Sequence, residues 1–265
     1  MLLTKCIDII NKEKIKIKIL YIPSKYDTNN IEIINKLLQK YYNKHTRLTT
    51  YQQQKNIHQN VDKLPIIKYN ENVTYIKFFD INGSFIDYLK NPQTYKSYKT
   101  NSRYGKQLQH IVNITKNALN KNDDIFLDFT NCGGGDIDVF IDAFSPLLSI
   151  GLQFYFNKPN PIYVYYNGYK LIKKKQYISK FIPPKNHNIT IKFNKHTSSS
   201  AEFIIMMILN SNKNVKLIGK NTAGMMSIVK SKIFYYNNSL YELGYPITDY
   251  LYDSHNKQYN GIIKN

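Results

Sequence analysis

Thr197-Ser198-Ser199-Ser200-Ala201-Glu202-Phe203-Ile204-Ile205-Met206-Met207-Ile208-Leu209 starts polar and then turns wholly apolar. Ser199 with Glu202 three residues later has the spacing of a capping box, in which hydroxyl and carboxylate each satisfy a backbone N–H left unpaired by the first helical turn. The run behind it has no polar face, which predicts a helix buried all round. Strand-like runs flank it: Ile189-Thr190-Ile191-Lys192-Phe193 before, and Val215-Lys216-Leu217-Ile218, closed by Gly219, after. Strand, buried helix and strand in succession point to α/β architecture with largely parallel strands.

Moving outward, Val73-Thr74-Tyr75-Ile76-Lys77-Phe78-Phe79 reads as a strand ending at Asp80-Ile81-Asn82-Gly83. Tyr104 to Leu119 reads as a helix, with Leu108, Ile111, Val112, Thr115 and Leu119 on one face. Asp124-Ile125-Phe126-Leu127-Asp128-Phe129 suits a buried strand, and Ile137, Phe140, Ile141, Phe144 and Leu148 mark a helix whose end Pro146 disturbs. Phe154-Tyr155-Phe156 and Ile162-Tyr163-Val164-Tyr165-Tyr166 are further strands, and the aromatic, turn-rich tail from Ile228 to Ile263 predicts hairpins. Before Pro65 the texture differs. Ile31-Glu32-Ile33-Ile34-Asn35-Lys36-Leu37-Leu38 has helical spacing and is followed by polar sequence including Gln52-Gln53-Gln54. The expected division is a small helical N-terminal region over 1–70 and an α/β core over 71–265.

A chain of 265 residues, 42% of them hydrophobic, can bury a sizeable core. No apolar run approaches the roughly 18–20 residues needed to span a bilayer, so no membrane partner is expected. Met1-Leu2-Leu3-Thr4-Lys5-Cys6 opens no apolar signal region, which leads to the expectation of a cytoplasmic or otherwise intracellular protein. Two cysteines, Cys6 and Cys132, make neither a disulfide framework nor a metal-ligand set, and no cofactor is expected. The net charge of +19 permits non-specific, salt-dependent contact with nucleic acid. Yet the lysines are scattered among Asn, Ile and Tyr, as an AT-rich genome encodes, such as that of a large DNA virus or a parasite. The dense run Lys12-Glu13-Lys14-Ile15-Lys16-Ile17-Lys18 alternates Lys with Ile like a half-buried strand, and Lys173-Lys174-Lys175 is short. Oligomeric state is left open.

The serine cluster supports two readings. It is a plain helix cap, or it presents a nucleophile where free N–H groups and the positive end of the helix dipole would stabilise an oxyanion. Thr130-Asn131-Cys132-Gly133-Gly134-Gly135-Asp136 lies between a strand and a helix. Consecutive glycines imply a tight turn or a close backbone approach. Neither G-x-x-x-x-G-K-[ST] nor G-x-G-x-x-G is present, so a phosphate cradle is unsupported, and a backbone N–H aimed at an oxyanion is the alternative. His45, within Asn43-Lys44-His45-Thr46-Arg47-Leu48, is a candidate general base, although a lone histidine in polar sequence is commonly a surface residue.

In this order the pieces resemble the tail-specific, or carboxyl-terminal-processing, serine protease family. Leu127-Asp128-Phe129-Thr130-Asn131-Cys132-Gly133-Gly134 stands for the family's L-D-L-R-x-N-x-G-G, with Thr130 for the usual Arg and Cys132 for the usual Asn. Thr197-Ser198-Ser199-Ser200-Ala201-Glu202 is similar to T-A-S-[SA]-[GAS]-E, Gly219-Lys220-Asn221-Thr222-Ala223-Gly224 fits G-x-x-T-x-G, and Gly261-Ile262-Ile263-Lys264-Asn265 echoes the closing motif. The resemblance implies a ClpP- or crotonase-like core of stacked ββα units, a polypeptide substrate and Ser199 as nucleophile. It also implies an oxyanion hole from the N–H groups of Ser200 and of Gly133 or Gly134. Met225 occupies the place of the lysine base of the family's Ser/Lys branch. His45-Thr46-Arg47 instead fits the D-x-H-[ST]-R segment of the tricorn-like branch, which makes His45 the base. Asp253, or else Glu242, would be the supporting acid. The stretch from His45 to Val73 is too short for the family's PDZ module. A family fold without activity, serving as a peptide- or protein-binding module, is the alternative.

Overall fold

The structure is a computed structural model that describes residues 1–12, 28–42, 46–50, 63–81, 103–156, 162–168, 170–174, 178, 181–226, 229–246, 251–253, 258–259 and 263. In chain order the helices are α1 (Leu2–Lys12), α2 (Ile31–Tyr41), α3 (Arg103–Leu119), α4 (Ile137–Phe144) and α5 (Ser200–Ser211). The strands are β1 (Arg47–Thr50), β2 (Ile66–Asn70), β3 (Val73–Lys77), β4 (Asp124–Asp128), β5 (Ile150–Phe156), β6 (Ile162–Tyr166), β7 (Leu171–Lys174), β8 (Phe181–Ile182), β9 (Asn188–Lys192) and β10 (Val215–Ile218). They continue with β11 (Val229–Tyr236), β12 (Ser239–Pro246), β13 (Leu251–Asp253) and β14 (Gln258–Tyr259).

Apolar alternation builds the central sheet. Ile76, Ile125, Leu127, Ile189 and Ile191 are buried on strands ordered β10-β9-β4-β3-β2. The pairs β10–β9, β9–β4 and β4–β3 are parallel, and β3–β2 is an antiparallel hairpin. Helix α5 joins β9 to β10 as its sequence predicts: every residue from Ser200 to Ile208 is buried. It packs on α4 and β5, with the Phe203 ring 5.5 Å from that of Phe154. Helix α4 stops at Phe144 because Pro146 cannot continue it, and Ser145–Leu147 closes as a 3-10 turn. Beneath the ends of β3 and β4, the Phe78 ring lies 5.0 Å from both Phe140 and Phe144, and Phe129 lies 5.4 Å from Phe144. A second, antiparallel sheet runs β14-β13-β5-β6-β7, with β8 also paired to β5.

The chain divides into two contact units. One comprises Met1–Gln59 with Ser227–Asp249, and the other Asn60–Met226 with Tyr250–Asn265. This division is discontinuous in sequence. The reason is pairing distant in sequence: β12 adds to β1, with Leu48 opposite Leu243, and β11 completes a sheet ordered β1-β12-β11. Leu2, Leu3, Cys6, Ile34, Leu38, Leu48 and Leu243 share the core of this unit, so its helices lie on a small sheet rather than on each other alone. The β11–β12 hairpin turns at Asn237 and Asn238, with φ of 45° and 60°, as a two-residue turn matched to strand twist requires. Lys12 ends α1, and the rest of the Lys12–Lys18 run lies outside the described residues.

His187, just before β9, is only 2% exposed, and its Nδ1 has no hydrogen-bond partner. Burial, helped by the Lys185 charge, holds the imidazole below its ordinary 6.5, against opposing effects from Asp123 and the backbone of Asn122. Because the unfolded chain takes up this proton more readily, the stability at stake is fully present above about pH 6.5 and is lost as pH falls through the depressed value. The urea midpoint is therefore expected to drop between pH 7 and pH 5, and to drop less in His187→Gln.

Candidate active site

Three parallel neighbours, β3, β4 and β9, end side by side, and each hands a turn to the same carboxyl-terminal edge, where open α/β sheets place their sites. After β4 comes the glycine turn. Asp128 anchors its start by accepting from the Thr130 N–H (2.9 Å), the Thr130 hydroxyl (2.6 Å) and the Tyr75 hydroxyl (2.9 Å). Burial works to raise this carboxyl, but the Thr130 and Tyr75 donors and the Lys77 charge outweigh it and hold it below its ordinary value. After β9 comes the serine turn. Asn194 ties the two turns together: its Oδ1 accepts from the Asn131 N–H (3.2 Å), and its amide donates to Asn131 Oδ1 (2.9 Å). Thr197 Oγ1 donates to the Phe129 carbonyl at 2.8 Å.

The three serines have different tasks. Ser198 Oγ donates to the Gly133 carbonyl (3.0 Å) and Ser200 Oγ to the Gly135 carbonyl (2.6 Å), so both flanking hydroxyls staple the glycine turn. Ser199, between them, is half-buried and has φ 56° and ψ −124°. A non-glycine residue held there stores about 1–3 kcal/mol and persists only where its surroundings dictate it. Those surroundings are close. A Cβ on Gly134 would lie 2.6 Å from the Ser200 nitrogen and 2.9 Å from Ser199 Cβ, so only glycine lets the turns meet. Gly134 itself has φ 89°.

Glu202 does more than cap. It is fully buried, and its Oε2 accepts from the Ser199 N–H (3.0 Å) and the Met225 N–H (2.7 Å), while Oε1 accepts from the Gly224 N–H (2.9 Å). The Thr222 hydroxyl also bonds it. Burial pushes the carboxyl above its ordinary range, against the pull of Thr222 and the three N–H groups. Thr222 Oγ1 in turn accepts from the Ile263 N–H at 2.9 Å, and the Ala223 N–H donates to the Thr197 carbonyl at 2.9 Å. One carboxylate thus gathers the serine turn and the Gly219–Gly224 segment.

Of the residues singled out from sequence, Ser199, Ser200, Gly133 and Gly134 come together here. The Gly133 N–H donates to Asp80 Oδ1, a partner that sequence reasoning did not supply. Asp253 lies in β13 opposite Phe154 of β5, and Glu242 lies in β12 opposite Thr49 of β1, in the other unit. His45 lies outside the described residues, and the backbone just after it is held by α2. Asn35 brackets Leu48, accepting from its N–H (2.6 Å) and donating to its carbonyl (2.9 Å), and Gln39 donates to the Thr46 carbonyl (3.3 Å). Burial pushes the Cys132 thiol up to about 12, which leaves it inert as a rival nucleophile. Among the described residues, no three His, Cys, Asp or Glu side chains cluster to hold a metal ion.

A serine strained at the start of a buried helix, with a glycine turn pressed on its backbone, is how serine hydrolases lift a hydroxyl toward helix N–H donors. The protein falls in that class. More narrowly, residues 72–265 match peptidase family S41; the chain belongs to that family and is a serine peptidase. A lipoprotein from Streptococcus agalactiae has a similar fold, with TM-score 0.65 and 18% identity over 99% of this chain and 90% of that one. The photosystem II D1 C-terminal processing protease aligns with TM-score 0.43 and 13% identity over 83% of this chain and 46% of its own. Mature CPAF aligns with TM-score 0.45 and 10% identity over 76% and 48%. No curated protein matches the chain in sequence.

Replacing Glu202 by Ala would leave three half-buried N–H groups without their acceptor, each costing up to about 1–3 kcal/mol. The expected loss in urea denaturation is about 2–3 kcal/mol. A loss near zero would show that the carboxylate is not what holds the two segments together.

Proposed function

We propose that the protein hydrolyses peptide bonds with Ser199 as nucleophile and His45 as general base, in the manner of the tricorn-like branch and without a PDZ module. Ser199 Oγ attacks the scissile carbonyl, and His45 takes its proton and later delivers it to the departing amine. The Ser200 N–H, at the start of α5, holds the oxyanion with a donor from the glycine turn. The Gly133 N–H donates to Asp80 and the Gly134 N–H to the Cys132 sulfur, so whichever glycine serves as the second donor exchanges that partner for the oxyanion. The strained geometry of Ser199 is the observation that carries the assignment, since nothing in the cap alone calls for a positive φ. Met225 stands where the Ser/Lys branch has its base and meets Glu202 through its backbone, which favours a histidine base from elsewhere in the chain. Asp253 is the proposed supporting acid, with Glu242 as the rival. Substrates are polypeptides, and extended, acidic chains suit the chain's net charge of +19. Two free, buried cysteines, Cys6 and Cys132, fit a reducing intracellular setting.

The absent lysine also supports a second reading, a peptide-binding module that has lost turnover. Hydrolysis of casein by wild type, Ser199→Ala and His45→Ala separates the two. Catalysis predicts loss of activity to background in Ser199→Ala and a fall of about 10²–10⁴-fold in His45→Ala. Binding without turnover predicts no difference among the three.

A further inference from the structure

Asp80 is exposed and takes no part in the reaction steps above, yet it reaches the turn those steps depend on. Three successive glycines have little stiffness of their own, so the direction of their peptide groups is set by what holds them. From one side the serine turn grips three carbonyls. Cys132 accepts from the Ser198 N–H (3.0 Å), Gly133 from Ser198 Oγ (3.0 Å) and Gly135 from Ser200 Oγ (2.6 Å). From the other side comes the chain leaving β3. The Ile81 N–H donates to the Gly134 carbonyl (2.8 Å), the Asp136 N–H donates to the Ile81 carbonyl (2.8 Å), and the Gly133 N–H donates to Asp80 Oδ1. Gly135 has no room for a Cβ because the Ile81 carbonyl lies against it. Phe78, two residues before Asp80, is locked among Phe140 and Phe144, so this arm is fixed to the core.

The carbonyl and N–H of a trans peptide point in opposite directions. The Cys132–Gly133 peptide is therefore held at both ends, its carbonyl by Ser198 and its N–H by Asp80. We propose that Asp80 is a positioning residue that stops this peptide from rotating and so fixes the face the glycine turn presents to Ser199. What the turn needs from Asp80 is an acceptor oxygen at the right place. The negative charge is dispensable and somewhat adverse, because a carboxylate near a developing oxyanion opposes it. Asparagine offers the same acceptor without the charge. The proposal rests on Ser199 being the nucleophile.

The test is steady-state hydrolysis of an internally quenched peptide by the full chain, comparing wild type, Asp80→Ala, Asp80→Asn and Ser199→Ala, with melting curves for each. Misplacing an oxyanion donor predicts that kcat falls about 10- to 100-fold in Asp80→Ala, with KM within about threefold. The melting temperature should stay near that of wild type, since Asp80 is exposed. Asp80→Asn should keep kcat within about threefold of wild type or exceed it. The rate of inactivation by diisopropyl fluorophosphate should follow the same order. Full kcat in Asp80→Ala would overturn the proposal. So would a gain in both Asp80 variants, which would make the carboxylate a plug, or equal damage in both, which would make its charge the essential feature. Hydrolysis surviving in Ser199→Ala would fail a different claim, the nucleophile assignment itself.

Discussion

The site is organised around a carboxylate with no access to water. Glu202 accepts from the N–H groups of Ser199, Gly224 and Met225. A buried carboxylate is tolerable only when its lone pairs are met, and each donor it gathers would itself be costly to leave unpaired. The requirement is mutual. It forces the start of α5 and the segment after β10 into one place, and it helps keep Ser199 in a conformation its side chain would not choose. The Ile263 N–H on Thr222 Oγ1 brings the far end of the chain into the same network.

Around that point the work is shared among residues of the same type. Ser198 and Ser200 spend their hydroxyls on glycine carbonyls, so the chemistry is left to the serine between them. Gly134 contributes the absence of a side chain, and Gly135 does the same against Ile81. The turns themselves are polar and partly exposed. Their stiffness comes from below, where Phe78 and Phe129 precede them and pack with Phe140 and Phe144. Mobile-looking sequence is thus mounted on rigid strands and aromatic rings.

Much of this was legible in the sequence because it repeats locally. The apolar run after Glu202, the alternation in β3, β4 and β9, and the Ser199–Glu202 spacing each lie within a few residues, and local sequence encodes them. The capping box was visible, but its carboxylate reaches Gly224 and Met225, which no spacing reveals. Asp80 and Asn194 were invisible for the same reason: a polar residue in an exposed turn looks alike whether it faces water or a neighbouring turn. The pairing of β1 with β12 joins residues nearly two hundred positions apart, and edge pairing of that kind leaves no local pattern. The serine cluster and the glycine turn are separate signals in the sequence, and the close approach of Gly134 to Ser199 and Ser200 explains why both are there.

The central claim is that Ser199, and neither neighbour, carries the reactive hydroxyl. Treating the full chain with diisopropyl fluorophosphate and mapping the adduct by peptide mass spectrometry tests it directly. The account predicts one phosphoryl group on Ser199 and none on Ser198 or Ser200, whose hydroxyls are committed to the glycine turn. An unmodified Ser199, or label on either flanking serine, would contradict it.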